Sequence, residues 1–187
     1  FRYGARELPL VTLMVSGLVT ALLPLVAGSE AAGLQALRQR TTQFAHWLFP
    51  VSAVLILLTP WLFPIVYNPE FAASADVFNV YLLIIISRLL LPQVIIISRD
   101  RSYVLVRNAI LETILNVGLS LWLVRDFGLP GIAFATVIAF VLAKINLIWF
   151  VWKSLGIKPN LYIPVRLYAY YSFGLISVYL LGRFIIG

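Results

Sequence analysis

Residues 108–136 read NAILETILNVGLSLWLVRDFGLPGIAFAT and decide the fold: an apolar helix, a tight polar turn and the start of a second apolar helix. Within the first helix, polar side chains recur every four residues, which places them on one helical face. They are Asn108, Glu112, Asn116 and Ser120. A carboxylate at the centre of a lipid-spanning segment is costly, so Glu112 requires a polar partner, a water-filled cavity or a function.

The composition predicts an integral membrane protein. The 187 residues are 62% hydrophobic and 11% charged, whereas a soluble domain is roughly half apolar and about a quarter charged. The chain has no cysteine and one histidine, which argues against thiolate metal sites and catalytic triads. We find no GxSxG, HExxH or phosphate-binding glycine loop and expect neither an enzyme nor a cofactor.

Six apolar stretches are long enough to cross about 30 Å of hydrocarbon, which takes about 20 helical residues each. Since lipid offers the backbone no other hydrogen-bond partners, all six are predicted helices, and the fold class is an all-α membrane protein. The chain opens inside an element, so we expect residues 1–187 to be the C-terminal part of a longer polytopic protein. The predicted spans are 7–27, 46–67, 78–98, 103–124, 131–152 and 166–186.

The net charge of +7 comes from basic residues between the apolar stretches, so the positive-inside rule explains it better than nucleic acid does. Arginine and lysine concentrate in 28–45, in 99–107 and in 153–166. The loops 68–77 and 125–130 carry far fewer. This alternation predicts that the three loops rich in arginine and lysine are cytoplasmic and that both chain ends are outside. The loop 28–45 also has helix formers and is expected to lie along the membrane interface.

Three ionisable side chains lie near predicted span centres: Arg88, Glu112 and Lys144. Their charges sum to one net positive charge. A Glu112 ion pair with Arg88 or with Lys144 is the purely structural interpretation, because intramembrane charges often pair. In the functional interpretation, a water-filled cavity with surplus cations attracts an anionic head group, for which an arginine fork and a lysine point charge both suit phosphate.

Three stretches carry a family resemblance. The first is YGARELP at 3–9 with LLP at 22–24, the second is ISRDR at 97–101, and the third is LNV at 115–117 followed by FGLPGIAFAT at 127–136. With these motifs the chain resembles the C-terminal lobe of the polysaccharide and oligosaccharide-lipid flippases. Their superfamily also contains the multidrug and toxin extrusion exporters and the lipid II flippases.

The resemblance implies one six-helix lobe, the eighth to thirteenth helices, of a two-lobed transporter whose N-terminal lobe is a further partner. Such proteins move a polyprenyl-pyrophosphate-linked oligosaccharide, for example an O-antigen or other polysaccharide repeat unit, across the bacterial cytoplasmic (inner) membrane by alternating access. Arg6 matches a cavity arginine of the lipid II flippases, although its spacing to Leu-Pro differs here. We therefore rank Arg88 and Lys144 above it.

The resulting hypothesis is a flippase in which Arg88 and Lys144, with Arg6, attract the pyrophosphate. Glu112 balances that charge or couples transport to a cation. The glycan needs a polar lining, and the candidates for it are Asn108, Asn116, Ser120 and Tyr81, with Gln93 beside Arg88.

Three alternatives remain open. A cation-coupled multidrug exporter of the same superfamily favours an acidic or apolar cavity. A non-transporting membrane scaffold subunit predicts Glu112 ion-paired in a dry bundle. A membrane glycosyltransferase needs a larger acidic loop than 68–77 provides.

Overall fold

The structure is a computed structural model that describes residues 9–66 and 72–186, and every regular element in those residues is a helix. The predicted all-α class is therefore confirmed. In chain order the helices are α1 (Pro9–Gly28), α2 (Glu30–Val66), α3 (Ala72–Leu82), α4 (Ile85–Arg88), α5 (Pro92–Ser98), α6 (Tyr103–Leu155), α7 (Pro159–Tyr162) and α8 (Val165–Ile186).

The long element α6 is a hairpin of two antiparallel arms. Gly128 has φ 62° and ψ −140°, a conformation open essentially to glycine alone, and Pro130 follows it. The side-chain amides of Asn108 and Asn146 are 2.8 Å apart, whereas a straight helix would separate these positions by about 57 Å. We call 103–127 the first arm and 129–155 the second arm. The turn predicted near 125–130 is confirmed.

The span predicted at 78–98 is interrupted, because three short helices, α3 to α5, cover it. The break before α5 is explained by Pro92, whose ring nitrogen cannot donate a hydrogen bond. The earlier break lies at Leu83 and Ile84. The carbonyl oxygens of α4 point to its C-terminal end, so they face the break before α5. The Tyr168 hydroxyl of α8 donates to the Ile86 carbonyl oxygen at 2.8 Å and lies 3.3 Å from that of Ile85.

The segment 28–45 is not a separate interfacial helix, because α2 runs without interruption from Glu30 to Val66. The reason is a buried stripe that continues along both halves of α2 at the spacing of three or four residues that keeps side chains on one helical face. Its members are Leu34, Leu37, Thr41, Ala45, Phe49, Ser52, Ile56 and Thr59. The stripe is covered by α1, α3, α7 and α8.

The three arginine- and lysine-rich connections meet at one end of the bundle, which we call the basic end. An ion pair joins Glu30, at the start of α2, to Arg99, in the turn between α5 and α6. Arg38 of α2 shares one cleft with Leu161 of α7 and another with Arg166 of α8. The grouping of these connections agrees with the alternation of charge along the sequence.

By length and composition, two helical elements of the described residues could cross a membrane: Glu30–Leu62 and the hairpin element Tyr103–Leu155. A third crossing results if Ala75–Arg88 and Pro92–Ser98, which meet at a bend of 44°, form one broken span. This broken segment is the most deeply buried part of the bundle: Val80, Leu89 and Val94 have no exposed surface. These lengths are compatible with the predicted membrane localisation.

Candidate functional site

Arg88 is the last residue of α4, directly before the break that separates α4 from α5. Its side chain is half-buried, and its guanidinium carbon lies 4.7 Å from the centre of the Phe140 ring on the second arm of α6. A cation over an aromatic face at this distance is stabilised by the ring quadrupole, more strongly where water is excluded. The contact therefore orients Arg88 toward the α6 hairpin.

Lys144 lies one helical turn after Phe140, on the same face of the second arm. Its ammonium nitrogen donates to Gln93 Oε1 at 2.8 Å. Gln93 is in the first turn of α5, directly beyond the break that follows Arg88. The two sides of the break thus present an arginine and a glutamine to neighbouring turns of the second arm.

Glu112 supplies the opposite charge from the first arm. It is half-buried, and the charges of both Glu112 and Arg88 act on Lys144. Three ionisable groups from three separate segments therefore lie within electrostatic reach of one another. We call Arg88, Gln93, Glu112 and Lys144 the central polar cluster. Its formal charges leave one net positive charge.

The face of the first arm that carries Glu112 is directed to the second arm over most of its length. Besides the bond between Asn108 and Asn146, Asn116 Nδ2 donates to Thr136 Oγ1 at 3.3 Å. The Ser120 hydroxyl in turn donates to Asn116 Oδ1 at 3.1 Å. Glu112 lies between these two crossing points, so the polar stripe predicted from the i+4 spacing is an inter-arm contact.

The opposite face of the first arm is apolar and exposed. More than half of each of five side chains is accessible, and they repeat at steps of three or four residues: Val106, Ile110, Ile114, Val117 and Leu121. A helix of a water-soluble protein shows the reverse pattern, with apolar residues inside and polar residues outside. Polar groups facing the bundle and apolar groups facing outward are what a lipid environment favours.

The remaining predicted site residues, Tyr81 and Arg6, are not part of the central polar cluster as the structure describes it. Tyr81 is half-buried in α3 and packs against the hydrophobic core. Within the described residues it forms no hydrogen bond with the central polar cluster. Arg6 lies outside the described residues. Two contact residues were not predicted, Phe140 and Asn146. Asn146 could have been found from the hairpin alone, because it lies as far after Phe127 as Asn108 lies before it.

The cluster contains groups that can bind an anion. A guanidinium and an ammonium offer several donors to an anion, and one carboxylate partly offsets their charge. Comparison of the chain with models of protein families, with curated proteins and with solved structures finds no match in any of the three. The family resemblance therefore stays a hypothesis based on sequence motifs.

Proposed function

We propose that this chain is one lobe of a membrane transporter that moves a polyprenyl-pyrophosphate-linked oligosaccharide across the bacterial cytoplasmic membrane by alternating access. The observation that carries the proposal is the meeting of Arg88, Lys144 and Glu112 inside apolar helices, with one positive charge in excess. Each buried ionisable group costs free energy. We infer that this cost is offset by binding of a charged ligand.

The proposal includes six membrane crossings. Its support is that each arm of α6 has about 25 residues, enough for the about 20 that one crossing needs. Together with α1, the C-terminal half of α2, the broken segment α3 to α5, and α8, the two arms correspond to the six apolar stretches of the sequence. The positive-inside rule then assigns the basic end to the cytoplasm.

The ligand class follows from the sign and shape of the charges. Arg88 and Lys144 favour an anion, and a pyrophosphate presents the paired oxygens that a guanidinium binds. The amide and hydroxyl groups of Asn108, Asn116 and Ser120 are suited to a glycan, and the polyprenyl tail stays in lipid. A multidrug exporter is the weaker alternative because its cationic substrates would be repelled by the excess positive charge.

A second candidate, a non-transporting scaffold subunit, is favoured by a different observation. Lys144 already has Gln93 as a partner, and Asn108 has Asn146. The two clefts of the basic end are lined by other residues, none of them in the central polar cluster. In this case the charges serve only to hold the helices together.

The test replaces Arg88 and Lys144 singly by glutamine in the full-length protein, in cells whose surface glycan depends on it. We expect glycan export to fall at least about tenfold at unchanged protein level, because a neutral amide binds pyrophosphate far more weakly than a cation. Arg125→Gln, which removes an exposed arginine at the hairpin turn, is the matched control. Normal export by both cluster variants would refute the transport site and leave the scaffold function.

A further inference from the structure

Two clefts of about 530 and 600 Å³ lie at the basic end and share one residue, Arg38 of α2. The larger cleft is formed where α2 meets the start of α8 and the residues just before it. Its polar lining consists of Arg38, Asn160 and Arg166, and its apolar lining includes Ile163 and Leu167. Among the described residues, no acidic side chain lines it. The cleft therefore combines two guanidinium groups and an amide without a carboxylate to neutralise them.

The acidic residue on the neighbouring cleft is Glu30, which lines the smaller cleft together with Arg38. Glu30 forms an ion pair with Arg99, so its charge is already balanced by another arginine. Arg38 and Arg166 both have exposed side chains. Two arginines directed to one concave surface suit an anion with several oxygens, above all a phosphate group.

The helix that follows the larger cleft offers a second feature of the site. Arg166, Tyr170 and Phe173 are spaced at i, i+4 and i+7 and share one face of α8. Tyr170 is 80% exposed and Phe173 is 74% exposed. Two exposed aromatic rings therefore follow Arg166 along the same face of α8. A phosphate bound at Arg166 would have apolar surface directly beside it, which fits a ligand with a hydrocarbon tail.

We propose that Arg38 and Arg166 form a binding site for the phosphate of an anionic phospholipid of the cytoplasmic leaflet, with the acyl chains along Tyr170 and Phe173. A phospholipid head group and a free phosphate ion would make the same contacts with the two guanidinium groups. The apolar face of α8 favours the phospholipid over the free ion. Basic pockets between membrane helices on the cytoplasmic side bind anionic head groups in this way. The inference rests on the membrane placement proposed above and not on the transported substrate.

The test is thermal unfolding of the purified full-length protein in neutral detergent, with added phosphatidylglycerol, phosphatidylcholine or inorganic phosphate. We expect phosphatidylglycerol alone to raise the Tm of the wild type, since a ligand that binds only the folded state stabilises it. The double variant Arg38→Gln/Arg166→Gln should need at least about tenfold more phosphatidylglycerol for the same rise, because charged hydrogen bonds are lost.

The matched control is Arg40→Gln/Lys153→Gln, which removes the same charge from exposed residues that do not line the cleft. If the control variant lost the Tm rise to the same extent, the effect would come from net charge alone and the proposal would be overturned. If phosphatidylglycerol did not raise the Tm of the wild type, there would be no binding and the proposal would also be overturned. An equal rise with inorganic phosphate would replace the lipid by a soluble anion. If the double variant does not fold, Arg166→Gln alone is titrated against Lys153→Gln. Glycan export by Arg88 and Lys144 variants tests the transport proposal separately.

Discussion

Asn108 and Asn146 are 38 residues apart in the chain, yet the side-chain amide of Asn146 donates to Asn108 Oδ1 at 2.8 Å. This bond shows that the long element α6 folds back on itself. Asn108 is only 5% exposed, so its amide has exchanged water for a protein partner. The bond also sets the register between the two arms, and with it the level at which Glu112 faces the second arm.

A double-mutant cycle should therefore reveal coupling between these two amides. For Asn108→Ala and Asn146→Ala we expect a coupling free energy of about 0.5 to 2 kcal/mol, the range of hydrogen bonds between membrane helices. The measurement is reversible unfolding in mixed detergent micelles. As a control, Thr113→Ala should show no coupling to Asn146→Ala, because Thr113 is exposed and donates to Ala109 of its own helix. Additive effects of the two asparagine variants would contradict the contact.

The hairpin turn should depend on the backbone of Gly128 and not on space around it. A Cβ atom would meet nothing within 4 Å at Gly128 or at Gly118. Of these two glycines, only Gly128 has a positive φ, of 62°. We expect Gly128→Ala to lower the free energy of unfolding by about 1 to 3 kcal/mol, the cost of holding alanine in that conformation. Gly118→Ala should leave it unchanged or raise it slightly. Equal effects of the two substitutions in the same unfolding assay would disprove the strained turn.

The Tyr168 hydroxyl should matter because it serves carbonyl groups at the interrupted helix. Tyr168 is 6% exposed and Tyr170 is 80% exposed, so Tyr168→Phe and Tyr170→Phe form a matched pair two residues apart. We expect Tyr168→Phe to cost about 1 to 3 kcal/mol of unfolding free energy, since buried acceptors lose their donor. Tyr170→Phe should have no measurable effect. If Tyr168→Phe were also silent, another donor would have to serve these carbonyls.

Tyr162 is the opposite case, since its hydroxyl is buried without a hydrogen-bond partner among the described residues. Tyr162→Phe should therefore leave stability near neutral pH unchanged or raise it by about 1 kcal/mol. Burial raises the pKa of Tyr162 above its ordinary value of 10.0. The folded state then keeps the proton longer than the unfolded state, so stability is retained below pH 10 and falls as the pH rises above it.

The measurement for Tyr162 is the unfolding free energy of the wild type and of Tyr162→Phe between about pH 8 and pH 11, on either side of the ordinary tyrosine pKa. We expect the wild type to lose more stability than the variant above pH 10. Parallel curves would show that the buried hydroxyl does not contribute to the pH dependence. A variant that is clearly less stable at pH 8 would mean that the hydroxyl has a partner.

Much of the helical arrangement was predictable from local patterns. The i+4 spacing from Asn108 to Ser120 identified the inward face of the first arm, and the turn residues around Gly128 identified the reversal. The central positions of Arg88, Glu112 and Lys144 suggested a common cluster. Prediction from the sequence failed where the ends of a helix depend on contacts with distant segments. Most of the loop predicted at 28–45 is the N-terminal part of α2, which begins at Glu30, and the helix predicted at 78–98 is interrupted twice.

By itself the sequence determined the all-α class, the apolar segments, the hairpin turn and the polar face of the first arm. Each of these follows from periodicity or from one residue's backbone preference, which act within a few residues. Tertiary structure alone decided that Lys144 bonds Gln93, that Arg88 packs on Phe140, and that Tyr168 supplies a hydroxyl to the interrupted helix. These partners come from segments far apart in the chain, and only the packing of whole helices brings such groups within hydrogen-bond distance.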